Sequence, residues 1–527
     1  MNSETISLPK QITTVEAISD SSLIENNTNR FQRIFFVVTN VSASYGKALN
    51  PHLGIAMLMA SLDRHGFQTA VIDEQLGYNV EEIIQKIKEF KADLVGVTMF
   101  SFDFAKTYQT INRIKDETGL PIALGGAHIS SVKKEALERT KADFGVVRDG
   151  EIPIVELCSG VPLEKIESLI WRNQNNEIIQ NPVRKLNWQL DELPYPAYDK
   201  FELPRYIHFI DKRLPIETSR GCPYSCTYCD VKVSMGQAFR PRSPEHIIEE
   251  IKHWYNKGYR FFEFVDDVFT MDIDRAKKFC RLVLDSGLKF DWNCANGIRA
   301  DRVDEELLIL MRKAGCVFVS YGLETGDEEI LKVIKKAITL ERSMEAFALT
   351  KRIGLKFAVN FIVGHPEETP ERALRSVAFA KKVLKYADYV MFSNMIPYPG
   401  TDVYKWIREQ EKTGRARFIR QPEEYLKDTT TKIGLPVFET REFRYNDRVK
   451  ILKKGRAIFN RSFLQYRLGK VKGLLVYLVA RDNNRYMALR RIAMGTRMGK
   501  YAYNLLKKNY SIHKKFKGVL PGTQGNG

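Results

Sequence analysis

Two successive series of short apolar runs, each alternating with helical stretches, constrain this chain more than any other feature. In residues 31–160 the apolar runs are Ile34–Thr39, Thr69–Asp73, Asp93–Met99, Ile122–Gly125 and Phe144–Arg148. Helical patterns at Leu53–Arg64, Val80–Phe90, Ala105–Thr118 and Val132–Thr140 separate them. Strands spaced by helices pair in parallel, so this part is read as a doubly wound α/β sheet. A second series begins at residue 213, with strands at Leu214–Thr218, Phe261–Val265, Asp291–Ala295, Val317–Tyr321, Phe357–Val363 and Tyr389–Asn394. Helices are expected between them at Pro244–Lys257, Ile273–Ser286, Asp304–Ala314, Leu340–Ile353 and Pro370–Lys385. Six such units predict a partial (β/α)6 barrel over residues 213–410, with its site at the carboxyl ends of the strands.

The stretch 161–212, punctuated by Pro182, Pro194 and Pro196, is read as a connector, with a small strand at Leu169–Arg172 before an Asn-rich turn. Residues 1–30 are rich in Ser, Thr, Asn and Glu and are read as a disordered leader. Residues 411–519 lose the alternation and are read as a basic, mostly α-helical domain, followed by a Gly-rich tail at 520–527. No run approaches the ~18 apolar residues of a membrane span. Seven cysteines, an odd number, do not make a disulfide framework, and a reducing cytoplasm is the expected compartment.

The formal charge of +18 is not shared evenly. Residues 411–527 hold 28 Lys/Arg against 8 Asp/Glu, which leaves 54 against 56 in the rest. Within Arg441–Lys517 the cations interleave with Phe459, Phe463, Tyr466, Tyr477, Tyr486, Tyr501, Tyr503 and Tyr510. Three readings stand: helices lying on an anionic membrane at its inner face, binding of RNA or another polyanion, or a helical cap over the barrel with basic exposed faces. Nucleic acid is ranked below the other two.

Ligands of doubly wound sheets sit outside the carboxyl ends of the strands. In the first series those ends carry Thr39, Asn40, Ser44 and Tyr45; Thr98, Phe100 and Ser101; Gly125, Gly126 and His128; and Gly150 with Glu151. The glycines let a backbone approach a bulky ligand closely. No G-x-G-x-x-G follows the first strand, which argues against a dinucleotide.

The sharpest local signal is Arg220-Gly-Cys222-Pro-Tyr-Ser-Cys226-Thr-Tyr-Cys229-Asp, directly after the first barrel strand. Three thiolates within eight residues suit one soft metal centre. A zinc ribbon brings a second ligand pair, and none follows at usable spacing. Three thiolates on a cubane iron–sulfur cluster leave one iron open for chemistry. Cys280, Cys294 and Cys316 are read as core residues.

This loop resembles that of the radical S-adenosylmethionine (SAM) superfamily, marked by C-x3-C-x2-C after the first strand of a partial barrel. The resemblance continues through Arg242–Ile251, Phe264-Val-Asp-Asp267, Asn296-Gly-Ile-Arg299, Tyr321-Gly-Leu-Glu324-Thr-Gly and Phe361-Ile-Val-Gly364-His-Pro-Glu-Glu-Thr369. It implies a [4Fe–4S] cluster on Cys222, Cys226 and Cys229. It also implies SAM chelated at the open iron and contacted by Tyr228, Asp266, Asp267, Arg299, Glu324 and Gly364. Against this, Asp266 and Asp267 also suit a helix cap, and Arg299 also suits a surface salt bridge. An external donor of the flavodoxin or ferredoxin type would reduce the cluster, which cleaves SAM to a 5′-deoxyadenosyl radical.

Residues 31–160 are similar to the cobalamin-binding domain fused to many such enzymes, through Asn50–Leu58, Gly66–Asp73, Leu124-Gly-Gly-Ala-His128 and Val147-Arg-Asp-Gly-Glu151. That makes the strand-end residues named above candidate cobalamin contacts. Asp63-Arg-His65-Gly66 departs from the Asp-x-His-x-x-Gly loop that ligates cobalt in other cobalamin proteins, and is read as a helix end. The class implied is a flavodoxin- or Rossmann-like cobalamin domain, a partial radical SAM barrel and a helical C-terminal domain. The activity implied is methylation of an unactivated carbon in a small or lipid-like substrate, by the adenosyl radical and methylcobalamin. The alternative is cyclisation or rearrangement of an isoprenoid or tetrapyrrole without methyl transfer. RNA methylthiolation ranks lower, because residues 1–157 contain no cysteine for its second cluster.

Overall fold

The apolar runs pair as their spacing predicts. The computed structural model describes residues 29–39, 49–427 and 434–480. The leader up to residue 28, Asn40, Ser44 and Tyr45, residues 481–517 of the basic region and the tail 520–527 lie outside the described residues. In the first sheet β1 (Arg33–Val38), β2 (Gln68–Asp73), β3 (Leu94–Thr98), β4 (Ile122–Gly125) and β5 (Phe144–Val146) are all parallel, in the order β2-β1-β3-β4-β5. β3 is buried along its whole length, as expected of a parallel strand covered on both faces. An antiparallel hairpin, β6 (Leu169–Arg172) and β7 (Ile178–Gln180), extends this sheet beyond β5. The Asn173 carboxamide closes its turn by accepting from the N–H groups of Asn175 (3.0 Å) and Glu177 (2.9 Å).

Two local readings change. The helix expected at Val132–Thr140 is two short helices, Ala127–Val132 and Lys134–Glu138, broken at Lys133, whose φ is +54°. A further helix, Glu151–Cys158, follows β5. Its sequence EIPIVELC is buried at six of eight positions, so it lacks the one-sided apolar period that marks a surface helix.

The second sheet contains β8 (Arg213–Ile216), β11 (Phe261–Phe264), β12 (Asp291–Ile298), β13 (Cys316–Glu324), β14 (Lys356–Val363) and β15 (Tyr389–Asn394), parallel and in that order. Between β8 and β11 a two-residue antiparallel ladder, β9 (Ser219–Arg220) with β10 (Arg240–Pro241), pins the two ends of the cysteine loop together. Helices Pro244–Asn256, Ile273–Asp285, Glu305–Lys313, Leu340–Ile353 and Pro370–Val383 return between the strands. Ser243, Asp272, Asp304, Thr339 and Thr369 cap their starts by accepting a first-turn N–H, which satisfies a donor left free by the helix.

One apolar cluster runs from Phe36, Met59 and Leu62 of the first domain into Leu214, Phe262 and Trp292 of the barrel, so the domains share a core. Cys280, Cys294 and Cys316 are buried within it. After the strand pair β16 (Ala416–Phe418) and β17 (Phe438–Thr440), the helix Tyr445–Leu468 lies against β15. There Phe463 and Tyr466 close on Tyr389, with ring centroids 5.2 and 5.3 Å away. These aromatics of the basic region therefore face the barrel. The helix Lys470–Ala480 folds back on the previous one where Gly473 meets the backbone at Leu464 and Gln465. Among the described residues no helix is long and apolar enough to cross a membrane.

Candidate active site

Arg220 and Arg240 face each other across the ladder below the cysteine loop. The loop then turns at Gly221, whose φ of +78° and contact with the Ala238 carbonyl leave no room for a side chain. Cys226 is buried, its Sγ 3.8 Å from the Lys335 carbonyl, and Cys222 and Cys229 are half-buried. Burial pushes the Cys222 and Cys229 thiols up, and the charge of Cys226 adds to this. Among the described residues no group of three His, Cys, Asp or Glu side chains stands in a metal-ligating array.

The residues present nevertheless fit an iron–sulfur cluster. The donor set is three soft sulfurs, which suits iron–sulfur chemistry. Two buried cations, Arg299 and Lys336, act electrostatically on Cys222 and Cys226 and would offset the charge of a thiolate-bound cluster. Arg299 is no surface residue. It lies 3.5 Å over the Tyr224 ring inside the cysteine loop and donates to Asp301 (2.9 Å) and to the Lys336 carbonyl (2.8 Å).

The remaining candidates for SAM gather at the strand ends with different duties. Asp266, after β11, spends both oxygens on the segment after β8, accepting from the Thr218 and Ser219 N–H groups (2.6 Å each) and the Thr218 hydroxyl (2.7 Å). With three acceptor positions spent on the protein, it clamps the segment after β8 to the end of β11. Asp267 accepts from the Gly221 N–H (2.9 Å), and burial raises its carboxyl to about 7. Neither caps the next helix, which Asp272 does. Glu324 ends β13 where the register slips against β14, a bulge of the kind that re-aims a side chain. Its φ is +77°, and its carboxylate pairs with Lys336 at 3.0 Å. Lys336 also donates to the Tyr228 hydroxyl (3.0 Å), linking the aromatic of the cysteine loop to β13. Gly364 follows β14 at φ +104°, and a Cβ there would lie 2.6 Å from Arg448.

Arg448 and Lys336 escaped the sequence reading. Arg448 comes from the basic C-terminal helix, yet it is buried and donates to the Gly364 carbonyl (3.2 Å) and the Phe443 carbonyl (2.9 Å). Burial lowers its pKa to about 10. Beside it, burial raises Glu368 to about 7, while the N–H groups of Gly364 (2.6 Å) and His365 (3.2 Å) donate to its carboxylate. No local pattern marks Arg448; a lysine 12 residues after Glu324 is the faint trace of Lys336.

At the first sheet the strand ends close on one another. The Thr39 hydroxyl donates to the Thr98 carbonyl (2.9 Å), and Phe100 lies by the His52 ring, centroids 5.4 Å apart. His52 caps the helix Leu53–Arg64, its Nδ1 accepting from Ile55 (3.1 Å), and His65 ends that helix with its Nδ1 2.8 Å from the Ser61 carbonyl. Gly125 has open space where a Cβ would stand. Gly126 has none: its φ is +102° and a Cβ would meet the Met99 carbonyl at 2.6 Å. The edge therefore offers open space at Gly125 and a turn at Gly126 packed on the protein's own backbone.

Two candidate cobalamin contacts are turned inward instead. His128 starts a helix and is not a loop residue, with its Nε2 2.9 Å from the Tyr108 hydroxyl, its Nδ1 3.2 Å from Ser101 Oγ and its ring stacked on Phe104. Burial lowers its pKa to about 3, so it is a neutral brace with both nitrogens engaged, which leaves none for cobalt. Glu151 is buried against Arg220 of the barrel (2.6 Å), and Gly150 precedes it at the helix start, against Leu58.

The carboxyl ends of the two sheets face each other. Phe102 after β3 meets Tyr398 after β15 edge to face (5.6 Å), and the Asp103 N–H donates to the Leu426 carbonyl (2.6 Å). Gly400 lies on Ser131 of the helix Ala127–Val132, and that helix packs on Val231–Ser234, just after Cys229.

Comparison with known proteins agrees with this division of labour. Residues 216–380 match the radical SAM superfamily and residues 43–158 the B12 binding domain. An uncharacterized methyltransferase of Pyrococcus horikoshii is 31% identical over 367 residues, 68% of this chain and 78% of the relative. The anaerobic magnesium-protoporphyrin IX monomethyl ester cyclase of Rubrivivax gelatinosus is 24% identical over 464 residues, 85% of this chain and 81% of the relative. The fold matches that of the cobalamin-dependent S-adenosylmethionine radical enzyme OxsB, solved with aqua-cobalamin and SAM, with a TM-score of 0.67 at 17% identity over 92% of this chain and 75% of that one. A cysteine loop on a partial barrel, faced by a glycine-edged B12-binding sheet, thus places the chain among the radical SAM enzymes that carry a cobalamin domain, whose cofactors are a [4Fe–4S] cluster, SAM and cobalamin.

Proposed function

We propose that the chain methylates an unactivated carbon of a small or lipid-like substrate. The observation that carries this reading is the packing of the helix Ala127–Val132 on Val231–Ser234, which sets the glycine edge of the first sheet beside the cysteine loop. When bound, the cluster with SAM supplies a radical that abstracts hydrogen, and cobalamin supplies a methyl carrier. The chain's own residues hold and shield these groups. Cys222, Cys226 and Cys229 hold the cluster, and Gly125 leaves open space for the macrocycle beside the turn at Gly126. Arg299 and Lys336 keep positive charge beside the sulfurs, and the buried Met99 and Phe102 exclude water from the space between the sheets. A reductant of the flavodoxin or ferredoxin class supplies electrons. The name of the Pyrococcus relative, a methyltransferase, supports this reading.

A second reading, oxidative ring closure without methyl transfer, is favoured by the length over which the cyclase relative matches. Product mass separates the two. A gain of one CH₂ per turnover, with the label of methyl-deuterated SAM in the product, is the expected result. A product that loses hydrogen or gains oxygen at constant carbon number overturns methylation.

We also place the enzyme at an anionic membrane surface. Val471, Leu475 and Leu478 are 72, 59 and 43% exposed and recur at helical spacing on one side of the last described helix, beside exposed Lys470 and Lys472. Each cation near an anionic bilayer contributes about 1 kcal/mol. The full chain should float with phosphatidylglycerol vesicles at low salt and not with phosphatidylcholine, and Leu475→Asp should abolish flotation. A wild-type chain that stays at the bottom of the gradient contradicts the docking.

A further inference from the structure

Arg220, two residues before Cys222, is buried among three carboxylates. It donates to Glu217 (2.7 Å), Glu151 (2.6 Å) and Asp149 (3.3 Å). Asp149 also receives Arg240, which is sealed from solvent and donates further to the carbonyls of Met235 (2.9 Å) and Asn187 (3.1 Å). Glu217, Arg220 and Arg240 belong to the barrel; Asp149 and Glu151 belong to the turn that leaves β5. That turn is tied to the end of β4, because the Arg148 N–H donates to Ser130 (2.9 Å) on the helix that begins after Gly126. A bonded path therefore runs from the glycine turn, through Ser130, Arg148 and Asp149, to the residue that leads into the cysteine loop. On the other side of the loop, the same Ala127–Val132 helix packs on Val231–Ser234. The strand-end region around Gly125 and Gly126 grips the cysteine loop at both ends.

A buried ion cluster is a poor source of stability compared with apolar packing, but it fixes geometry, because no member can move without leaving a charge unpaired. Here the fixed geometry spans the two cofactor regions. We propose that Asp149 and Glu151 are positioning residues that couple the two sites, so that assembly of the cluster tightens corrinoid binding and corrinoid binding steadies the cluster. The proposal rests on the cofactors assigned above. Such coupling is reciprocal by thermodynamic necessity.

The test measures hydroxocobalamin affinity of the full-length chain, anaerobically, by the change in corrinoid absorbance, with the cluster reconstituted and with iron withheld. The wild type should bind at least about five-fold more tightly with the cluster, the lower end of ordinary coupling. Asp149→Asn, close in shape but uncharged, should bring that ratio near one, and Asp149→Glu should restore most of it. With excess dithionite keeping the cluster reduced and cobalamin added as cob(II)alamin, the paramagnetic resonance signal of the cluster should shift in the wild type and stay fixed in Asp149→Asn, a difference that a merely structural role does not produce. Should Asp149→Asn fail to fold by circular dichroism, Glu151→Gln is read in the same way. Equal affinities of the two wild-type forms overturn the coupling and leave the cofactor assignment standing. Full coupling retained in the variants overturns the role of the clamp. Absence of hydroxocobalamin binding in both wild-type forms overturns the cofactor assignment and the coupling with it.

Discussion

Cys226→Ala is expected to empty the site of iron. The wild-type chain, reconstituted anaerobically, should hold about four iron and four sulfide, as a cubane requires, and the variant should hold less than one of each. The loop offers three sulfurs, and losing one leaves two irons without protein ligands. Cys226 is the most buried of the three, so solvent or added thiol cannot readily replace it. The fold has little reason to fail, because the Sγ makes one weak contact, with the Lys335 carbonyl at 3.8 Å. Corrinoid absorbance should persist, since the glycine edge of the first sheet is untouched. Iron and sulfide analysis with visible spectra checks both halves, and a variant that keeps four irons would refute the assignment of the loop.

Arg448→Ala should destabilise the chain by about 2–5 kcal/mol, the usual cost of truncating a large buried side chain to alanine. The guanidinium lies against the rings of Phe438 and Phe443 (4.3 and 4.8 Å) and supplies positive charge beside the buried Glu368. Its removal opens a cavity, takes a donor from the Gly364 carbonyl and withdraws positive charge from beside Glu368, while the Phe443 carbonyl keeps the Thr440 N–H. Arg448→Lys keeps the charge but not the planar fork, so it should recover part of the loss. Urea denaturation of the iron-free full chain measures the difference. An unchanged midpoint would show that the C-terminal helix does not anchor the end of β14.

What could be read beforehand divides along physical lines. Parallel strands are unbroken apolar runs and their helices are one-sided, so both sheets and most helix bounds were open to inspection. The cysteine loop was legible because its three ligands are neighbours in sequence. Several candidate site residues carry bonds within the protein that only distant partners reveal. His128 meets Tyr108 20 residues away, Asp266 meets Thr218 48 away and Glu151 meets Arg220 69 away. A strand-end position marks such a residue as near a ligand, but does not tell whether its polar atoms are already spent on the protein. Arg448 is the clearest case. Inside a basic run it reads as surface charge, and only the fold brings it to Gly364, 84 residues earlier. The formal charge of the C-terminal region is therefore not one property: Arg448 is buried in the barrel end, whereas Lys470 and Lys472 stand exposed.

On this reading one chain holds a three-cysteine cluster and a corrinoid on facing sheet ends. Anaerobic reconstitution of the full wild-type chain with iron, sulfide and hydroxocobalamin, followed by gel filtration and metal analysis, tests it most directly. The expected result is about four iron and four sulfide together with one cobalt per chain in the same peak. Iron without cobalt, cobalt without iron, or zinc in place of both would contradict it.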